Sequence, residues 1–387
     1  MKRILIVNNN MHIGGVQKAL LDLLNEIHKD HDITLLLFYN GGGLMKSVPE
    51  DVRVISPAAP FKYWGITKKD AATFGSRAAR AFFAAMTRVF GRGAALRLAY
   101  PFQKKLCGYD VAISFLHSGA RDTFYGGCNE FVLDRVEAEK KITFLHCDYE
   151  RIGAASEYNA GIYRRFDMIA ACSEGCREAF LRVMPELAAK TTVVPNCHDY
   201  AKIRSMAERE PETAEKDRLN IVTVARFGKE KGILRAVRAV AELGERSKEV
   251  CYRIIGDGAE YSEAAALVKS AGLEDTVFLP GEMENPYGYM KAADLLLIPS
   301  VSEAAPMVIG EAASLGTPVL TTETSSAREM VLETGYGWVC ENSTDGIRRG
   351  IEMLLSDPRL IRERKEYLRT LKPDNAAAIK SFSELVR

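Results

Sequence analysis

Short apolar runs alternate with helix-compatible segments along almost the whole of this 387-residue chain. The runs have the length of buried strands and lie between polar or turn-forming residues. Alternation of strands and helices predicts parallel sheets with right-handed crossovers, and a chain of this length is expected to form two domains. The strands predicted in the first half are Ile4–Val7, Ile33–Phe38, Val52–Ile55, Val111–Phe115, Ile142–Phe144, Met168–Ala171 and Thr192–Val194, and the helices are Gly15–His28 and Ser173–Met184.

Two glutamates in the second half, Glu303 and Glu311, follow the apolar run Leu295–Ile298, which we predict to be a buried strand. Pro306 suits the first turn of a helix, and residues 307–315 are helix-compatible. Glu303 would then lie on the loop at the carboxyl end of a strand, where open α/β sheets bind ligands, and Glu311 on the helix that follows. Two carboxylates there can accept hydrogen bonds from the hydroxyls of a sugar or a ribose. The alternative is a helix N-terminal acid plus a surface glutamate.

Two cations come earlier in the same half. Arg226 is placed at the end of the predicted strand Ile221–Val224, and Lys231 at the start of the next helix. Two fixed cations at one sheet edge can bind phosphate groups, and no convincing Asp-x-Asp motif is present, so we predict no metal and no cofactor. Near the start of the chain, Gly14 and Gly15 open a helix whose N–H groups and dipole favour an anion. A solvated ion pair at a helix start is the alternative for the two cations.

These residues resemble the motifs of retaining glycosyltransferases of family 4, which have the GT-B fold. The matching positions are Arg226, Lys231-Gly232, Gly256-Asp257-Gly258, Leu279-Pro280-Gly281, Pro299-Ser300, Glu303-x7-Glu311 and Gly316-x-Pro318. The resemblance is dense from residue 219 to 338 and weaker in the first half, at Gly14-Gly15 and at 193–196. One position departs from the pattern, because Ala304 stands where the family usually has a glycine whose backbone freedom lets the loop approach the donor.

The resemblance implies an α/β fold of two Rossmann-like parallel-sheet domains that face one another across a cleft. A polar, charged stretch after Asn196 places the boundary near His198. Residues 1–197 would then form an acceptor-binding domain, and residues 198–375 a nucleotide-sugar-binding domain. Residues 376–387 would form a terminal helix that packs back on the first domain.

Residue roles also follow from the resemblance. Glu311 would accept hydrogen bonds from the nucleotide ribose, and Glu303 would contact hydroxyls of the donor sugar. Other positions would contribute main-chain or surface contacts to the phosphates and the base; they are Met307, Val308, Gly256, Leu279 and Gly281. His117 and His146 compete for a place near the anomeric carbon, and His117 fits the family position better. A structural histidine bonded to a loop carbonyl is the alternative for each.

The segment 61–105 contains ten basic residues and one acid, with aromatic residues interleaved. On a helical wheel Arg77, Arg80 and Arg88 share one face. The apolar residues predicted to lie broadly opposite are Phe82, Phe83, Met86, Val89 and Phe90. This pattern is typical of a basic amphipathic helix on an anionic membrane surface. An ordinary helix that buries its aromatic face on its own domain is the alternative, and no nucleic-acid-binding motif accompanies the charges.

The sequence therefore predicts a cytoplasmic enzyme associated peripherally with the inner face of the membrane. Residues 1–7 are expected to be a first strand and not a signal peptide. The resemblance implies a reaction that moves a hexosyl or N-acetylhexosaminyl group, with retention and without a metal, from a nucleotide diphosphate sugar such as a UDP-sugar. The acceptor would be a lipid-linked saccharide in the synthesis of cell-surface polysaccharide or glycolipid. The alternatives are a nucleotide-sugar epimerase of the same fold and a catalytically inactive accessory subunit.

Overall fold

The computed structural model describes residues 1–209, 214–215 and 217–387. These residues form two compact units, the first made of Met1–Cys197 with Asn375–Arg387 and the second of His198–Asp374. The C-terminal segment, residues 375–387, belongs to the first unit, and both of its ends form hydrogen bonds with that unit. The Asn375 amide donates to Glu26 at 2.6 Å, and the Lys2 ammonium donates to the Arg387 carbonyl oxygen at 2.8 Å.

Unit 1 is built on a parallel sheet. Its strands are β1 (Arg3–Asn8), β2 (Asp32–Leu37), β3 (Arg53–Ile55), β4 (Leu106–Ser114), β5 (Val136–Leu145), β6 (Met168–Ala171) and β7 (Thr191–Val193). Its first helices are α1 (Gly15–Ile27), α2 (Lys62–Gly65), α3 (Phe74–Phe90), α4 (Arg92–Arg97), α5 (Cys128–Arg135), α6 (Glu157–Arg164) and α7 (Glu174–Val183). All the strands predicted for the first half are present; Met168–Ala171 has the ends of β6, and the others have shifted ends.

Within the described residues the strand order of this sheet is β3-β2-β1-β4-β5-β6-β7. β1 pairs in parallel with β2 on one side, with Ile4 beside Ile33, and with β4 on the other, with Ile4 beside Val111. The order thus reverses between β1 and β4. In open α/β sheets ligands bind in the crevice outside the carboxyl ends of the strands at such a reversal.

Unit 2 repeats this architecture. Its strands are β8 (Leu219–Val224), β9 (Val250–Ile255), β10 (Val277–Gly281), β11 (Leu295–Ile298), β12 (Val319–Thr322) and β13 (Gly337–Cys340). Its helices are α8 (Tyr200–Ala207), α9 (Ile233–Ala241), α10 (Tyr261–Ser270), α11 (Tyr287–Ala292), α12 (Met307–Ser314), α13 (Thr344–Ser356) and α14 (Pro358–Thr370), and α15 (Ala376–Val386) ends the chain in unit 1. The strand order in the described part of unit 2 is β10-β9-β8-β11-β12-β13, all parallel, with the reversal between β8 and β11.

The apolar sequence of β11 reflects burial on both faces of the sheet. Leu295 and Leu297 join the core under α9, α10 and α13, whereas Leu296 and Ile298 join a second core under α8, α11 and α12. Successive side chains of a strand point to opposite faces, so a strand covered on both sides needs an apolar residue at every position. The predicted pair of Rossmann-like parallel-sheet domains is confirmed.

The segment 61–105 forms several elements in place of one amphipathic helix. Phe61 and Trp64 are fully buried in the core of unit 1, and the Arg92 guanidinium is fully buried against Glu130 at 2.8 Å. These residues cannot face a membrane, so fewer basic and aromatic residues are available at the surface than the count for the whole segment indicates. No helix of the described residues has both the length and the apolar character needed to cross a bilayer.

The helix α3 has an apolar outer face. Of the apolar residues predicted to lie opposite the arginines, Phe83 and Met86 pack against the core of unit 1, as the alternative of a face buried on its own domain expects. The exposed large apolar residues of α3 are Phe74, Phe82, Val89 and Phe90, with 86%, 54%, 71% and 55% of their surface accessible. Arg77 and Arg88 are exposed on the same helix, so apolar and basic groups share the outer surface and do not segregate to opposite faces.

Candidate functional site

The loop after β8 places Arg226 at the carboxyl edge of the second sheet. The buried residue Phe227 fixes this loop, because its main-chain N–H donates to the Asp257 carbonyl oxygen at 2.9 Å. The Arg226 side chain is 74% exposed and donates to Glu230 Oε1 at 2.6 Å. Arg226 therefore has a fixed backbone and an accessible guanidinium, and a carboxylate is its partner in this structure.

Lys231 and Glu303 meet at the strand-order reversal of unit 2. Lys231 ends a short 3-10 turn, Lys229–Lys231, and its ammonium donates to Glu303 Oε1 at 2.5 Å. The Ser300 hydroxyl donates to the same oxygen at 2.7 Å. Because β8 and β11 are neighbours at the reversal, the elements that follow them bring a cation and a carboxylate together beside the crevice. Such a pair can offer positive charge to a phosphate and acceptor oxygens to sugar hydroxyls.

Glu230 is a residue of this site that the sequence reasoning missed. Burial opposes its ionisation, but the hydrogen bond from Arg226 and the positive charges of Arg226 and Lys231 outweigh burial and hold the pKa of Glu230 below its usual value. The carboxylate is thus ionised at neutral pH. Glu230 competes with any anion for Arg226, and its position between two basic residues was the available signal.

The helix α12 positions the residues predicted to bind phosphate and ribose. Its first residues, Met307 and Val308, have main-chain N–H groups in the first turn, where no intrahelical partner exists. A ring nitrogen of His198 lies 3.0 Å from the Met307 carbonyl oxygen and fixes this end of the helix. Glu311 lies one turn further on and is only 3% exposed, so a ligand would reach a small part of its carboxylate.

The three residues predicted to border a base pocket lie at the ends of β9 and β10. Gly256 has φ +144°, and a Cβ there would lie 2.0 Å from the Ala225 carbonyl oxygen, so the local packing itself requires glycine. The Gly256 N–H donates to the Gly281 carbonyl at 2.9 Å, and the Leu279 carbonyl accepts from the Tyr261 hydroxyl at 2.7 Å. These residues line one continuous edge next to the Arg226 loop, and a base-binding role for them remains a prediction.

In unit 1 the loop between β1 and α1 carries Gly14 and Gly15. Gly14 is extended, and a Cβ on Gly15 would meet nothing within 4 Å, so packing does not require glycine at position 15. Two buried asparagines hold the loop, because Asn9 donates to the Trp64 carbonyl at 3.1 Å and Asn10 to the Gly65 carbonyl at 2.6 Å. Sequence reasoning missed these anchors, since an amide that bonds to main chain leaves no spacing pattern.

His117 and His146 follow the adjacent strands β4 and β5 of unit 1. The ring of His146 packs on Phe115, with centroids 4.6 Å apart. Burial and the charge of Arg92 lower the pKa of His117 to about 4, and burial with the nearby His117 lowers the pKa of His146 to about 3. Both rings are therefore neutral at neutral pH. The two histidines that competed for a place near the anomeric carbon follow neighbouring strands, and both can offer neutral hydrogen-bonding groups.

Within the described residues, no cluster of three or more His, Cys, Asp or Glu side chains could hold a metal ion. The residues predicted to act in catalysis and binding fall into two groups. One group lies at the reversal of unit 2 and the β9–β10 edge beside it, and the other, with Gly14, Gly15, His117 and His146, at the carboxyl edge of unit 1.

The chain is similar to known proteins both in sequence and in structure. Residues 205–370 match the family model described as "Glycosyl transferases group 1". The chain is 29% identical over 211 residues to N-acetylgalactosamine-N,N'-diacetylbacillosaminyl-diphospho-undecaprenol 4-alpha-N-acetylgalactosaminyltransferase of Campylobacter jejuni, which covers 54% of this chain and 56% of that protein. The chain spans about half the length of the curated relatives that it matches first, 43% and 56%.

Two solved structures show the fold over the full chain. HepE of Anabaena, crystallised with UDP and glucose, superposes with a TM-score of 0.68 at 19% identity over 99% of both chains. TarM of S. aureus superposes with a TM-score of 0.70 at 12% identity over 100% of this chain and 99% of that one. The family model thus matches most of the second unit, and the superpositions show that the whole chain shares the fold of these two structures.

Proposed function

We propose that this protein transfers a sugar from a nucleotide diphosphate sugar, a UDP-sugar, to a lipid-linked saccharide with retention of anomeric configuration. The observation that supports the proposal most is the meeting of Lys231 and Glu303 at the strand-order reversal of unit 2, with Arg226 on the adjoining loop. The donor assignment draws on the solved structures, since UDP is bound in the HepE structure and in a TarM variant structure.

The chemistry needs stabilisation of a leaving diphosphate. An acceptor hydroxyl attacks the anomeric carbon as the bond from that carbon to the diphosphate oxygen breaks, and the acceptor proton passes to the departing phosphate. Arg226 and Lys231 balance the charge that develops on this phosphate, as fixed cations do in other transfer enzymes. Glu303 holds hydroxyls of the sugar, and Glu311 holds the ribose. No step requires a metal ion.

The acceptor assignment rests on unit 1. The neutral rings of His117 and His146 can donate to and accept from saccharide hydroxyls without charge. The Campylobacter relative is named as an α-N-acetylgalactosaminyltransferase that acts on a saccharide joined to diphospho-undecaprenol. By analogy we propose a lipid-linked acceptor and synthesis of cell-surface polysaccharide or glycolipid.

The outer face of α3 supports attachment to a membrane. Exposed Phe74, Phe82 and Val89 lie among basic residues, and apolar side chains of this size insert at the lipid interface while lysine and arginine attract anionic headgroups. We propose peripheral association with the cytoplasmic face of the membrane through this helix, which would bring the enzyme to an acceptor confined to lipid.

A thermal-shift screen followed by a transfer assay tests the proposal. UDP and UDP-sugars should raise the melting temperature, because a ligand that binds only the native state at 100 times its Kd stabilises it by about 2.7 kcal/mol. Incubation with the best donor and lipid-linked saccharides should release UDP and extend the saccharide. Donor epimerisation without acceptor would identify an epimerase instead, and the absence of binding to every nucleotide sugar would identify a non-catalytic subunit.

A further inference from the structure

The guanidinium of Arg235 holds the loop that carries Glu303. Arg235 is the third residue of α9, and its Nε donates to the Pro299 carbonyl oxygen at 2.7 Å. Its Nη2 donates to the next carbonyl, that of Ser300, at 2.6 Å. Two consecutive carbonyls of one loop therefore accept from one planar, charged group, which fixes the direction of the chain as it leaves β11.

Neighbouring elements complete this anchorage. The Thr322 hydroxyl at the end of β12 donates to the same Ser300 carbonyl at 2.5 Å. The Asn342 amide donates to the Val301 carbonyl at 3.0 Å, and the Val301 N–H donates to the Glu230 carbonyl at 2.8 Å. Arg235 also lies 3.4 Å from the Thr322 hydroxyl, so it contacts both the loop and a second residue that holds it.

The anchored residues in turn orient Glu303. The Ser300 hydroxyl, whose own carbonyl Arg235 holds, donates to Glu303 Oε1 at 2.7 Å. The Ser325 hydroxyl donates to the Glu303 main-chain carbonyl at 2.7 Å. Lys231 lies four positions before Arg235 in the chain and pairs with the same Glu303 oxygen. A shift of the loop by even 1 Å would therefore separate the carboxylate from its two donors, and such misplacement costs catalysis heavily.

We propose that Arg235 is a positioning residue for the transfer reaction, which fixes Glu303 against Lys231 through the carbonyls of Pro299 and Ser300. The inference rests on the proposed function and adds a residue outside the motifs that suggested it. Lysine cannot replace this arginine, because an ammonium is a point charge and cannot reproduce the guanidinium's planar fork on two carbonyls.

The test compares Arg235→Lys with Arg238→Lys, the same substitution one turn further along α9 at an exposed position. Arg235→Lys should lower kcat for the UDP-sugar by about 10-fold or more and leave the Kd for bare UDP within about 2-fold, because the loop holds the residue that contacts the sugar. Arg238→Lys should match the wild type. If Arg235→Lys lowers the melting temperature strongly, Thr322→Val, which removes the other donor to the Ser300 carbonyl, should show the same selective loss.

A double-mutant cycle separates positioning from general packing. If Arg235 acts through Glu303, then Arg235→Lys should have almost no further effect on kcat/KM once Glu303 is replaced by alanine. Additive losses, wild-type kinetics in Arg235→Lys, or equal losses of UDP and UDP-sugar binding would each overturn the positioning role alone. Failure of the wild-type protein to bind any nucleotide sugar would overturn the proposed function, and this inference with it.

Discussion

Lys231 and Glu303 form an ion pair of 2.5 Å although 72 residues separate them in the chain. Each side chain is partly exposed, 26% for Lys231 and 12% for Glu303, so a ligand can reach both. Ion pairs exposed to water contribute little to stability, typically less than about 1 kcal/mol. The pair is therefore better explained by the positive charge and the acceptor oxygens that it offers to a ligand at the sheet edge than by a contribution to the stability of the fold. Arg226 forms a similar pair with Glu230 on the adjoining loop.

Removal of either cation should impair transfer strongly. Arg226→Ala and Lys231→Ala should each lower kcat by about 10²-fold or more, because each removes a charge that stabilises the leaving diphosphate. Steady-state kinetics with a UDP-sugar measures the effect. Lys269→Ala, an exposed lysine at the end of α10, is the matched control and should turn over normally. Near-normal turnover in both cleft variants would contradict the diphosphate clamp.

The two glutamates should divide the donor between them. Glu311→Ala should weaken binding of bare UDP, whereas Glu303→Ala should leave UDP binding nearly intact and weaken binding of the UDP-sugar. The reason is that Glu303 is proposed to bind hydroxyls of the donor sugar, which bare UDP lacks, whereas Glu311 is proposed to bind the ribose that both ligands contain. Calorimetry with both ligands distinguishes the two variants. Equal losses for UDP and UDP-sugar in both variants would refute this division.

Transfer should continue in the presence of a chelator. The proposal assigns charge balance on the diphosphate to Arg226 and Lys231, so an added divalent cation should change the rate by less than about 2-fold, well under the effect of losing a charge-stabilising group. The measurement is initial rate with EDTA and with added Mg²⁺ or Mn²⁺. A strict requirement for either ion would count against fixed cations as the source of this stabilisation.

The strands of both sheets could be predicted because burial on two faces leaves a direct mark on the sequence. The predicted run Leu295–Ile298 has the same ends as β11, and Asp294 and Pro299 flank it. Strand order could not be predicted from such runs, because an apolar run records burial and not its neighbour. The order, with its reversal between β8 and β11, is seen only in the structure.

The anchoring contacts of the site had no sequence signal of this kind. Arg235 bonds to main-chain carbonyls, which every residue possesses, so no partner residue type marks the interaction. Which apolar residues of α3 are covered could not be predicted for a related reason. A helical wheel groups Phe83 with Phe82, but the ring centroids of Phe83 and Trp64 of α2 lie 4.7 Å apart, and Phe83 packs on the core whereas Phe82 is exposed. Which neighbour covers a face depends on tertiary packing.

Stability should fall with acid because of two partly buried histidines of unit 1, His117 and His146. In the unfolded chain both imidazoles take up protons below their ordinary pKa of about 6.5. In the folded protein they remain neutral until pH falls to about 4 for His117 and about 3 for His146. Over this range the unfolded state binds more protons, so the free energy of unfolding decreases as pH falls, and the slope becomes small only about one pH unit above 6.5.

Denaturant titrations from pH 4.5 to 7.5 measure this dependence. His117→Asn and His146→Asn should each flatten the slope below pH 6.5, because each removes one group whose folded-state pKa is lowered. His28→Asn, which removes a partly exposed histidine paired with Asp51, should leave most of the slope in place. An unchanged slope in both the His117 and the His146 variant would show that neither ring is held neutral by the fold.

The outer face of α3 should bind anionic vesicles in a mixed apolar and electrostatic mode. Replacing Phe74, Phe82, Val89 and Phe90 together with serine removes the exposed large apolar groups of α3. This variant should lose co-sedimentation with vesicles that contain anionic lipid, while UDP binding in unit 2 remains normal. A control variant replaces three exposed large side chains of unit 2 with serine, and it should bind vesicles normally. They are Leu332, Met353 and Tyr367, which are 42%, 41% and 42% exposed.

Charge should contribute separately. Arg77 and Arg80 donate to main-chain carbonyls of residues 66, 71 and 72, so replacing them would also disturb the fold. Lys68, Lys69 and Arg88 are exposed and are the better choice for replacement by glutamate. Because attraction to headgroups decays over about 8 Å at physiological ionic strength, salt should release part of the wild-type protein and leave the part held by apolar insertion. If the wild-type protein does not sediment with anionic vesicles at low salt, α3 is not a membrane-binding helix.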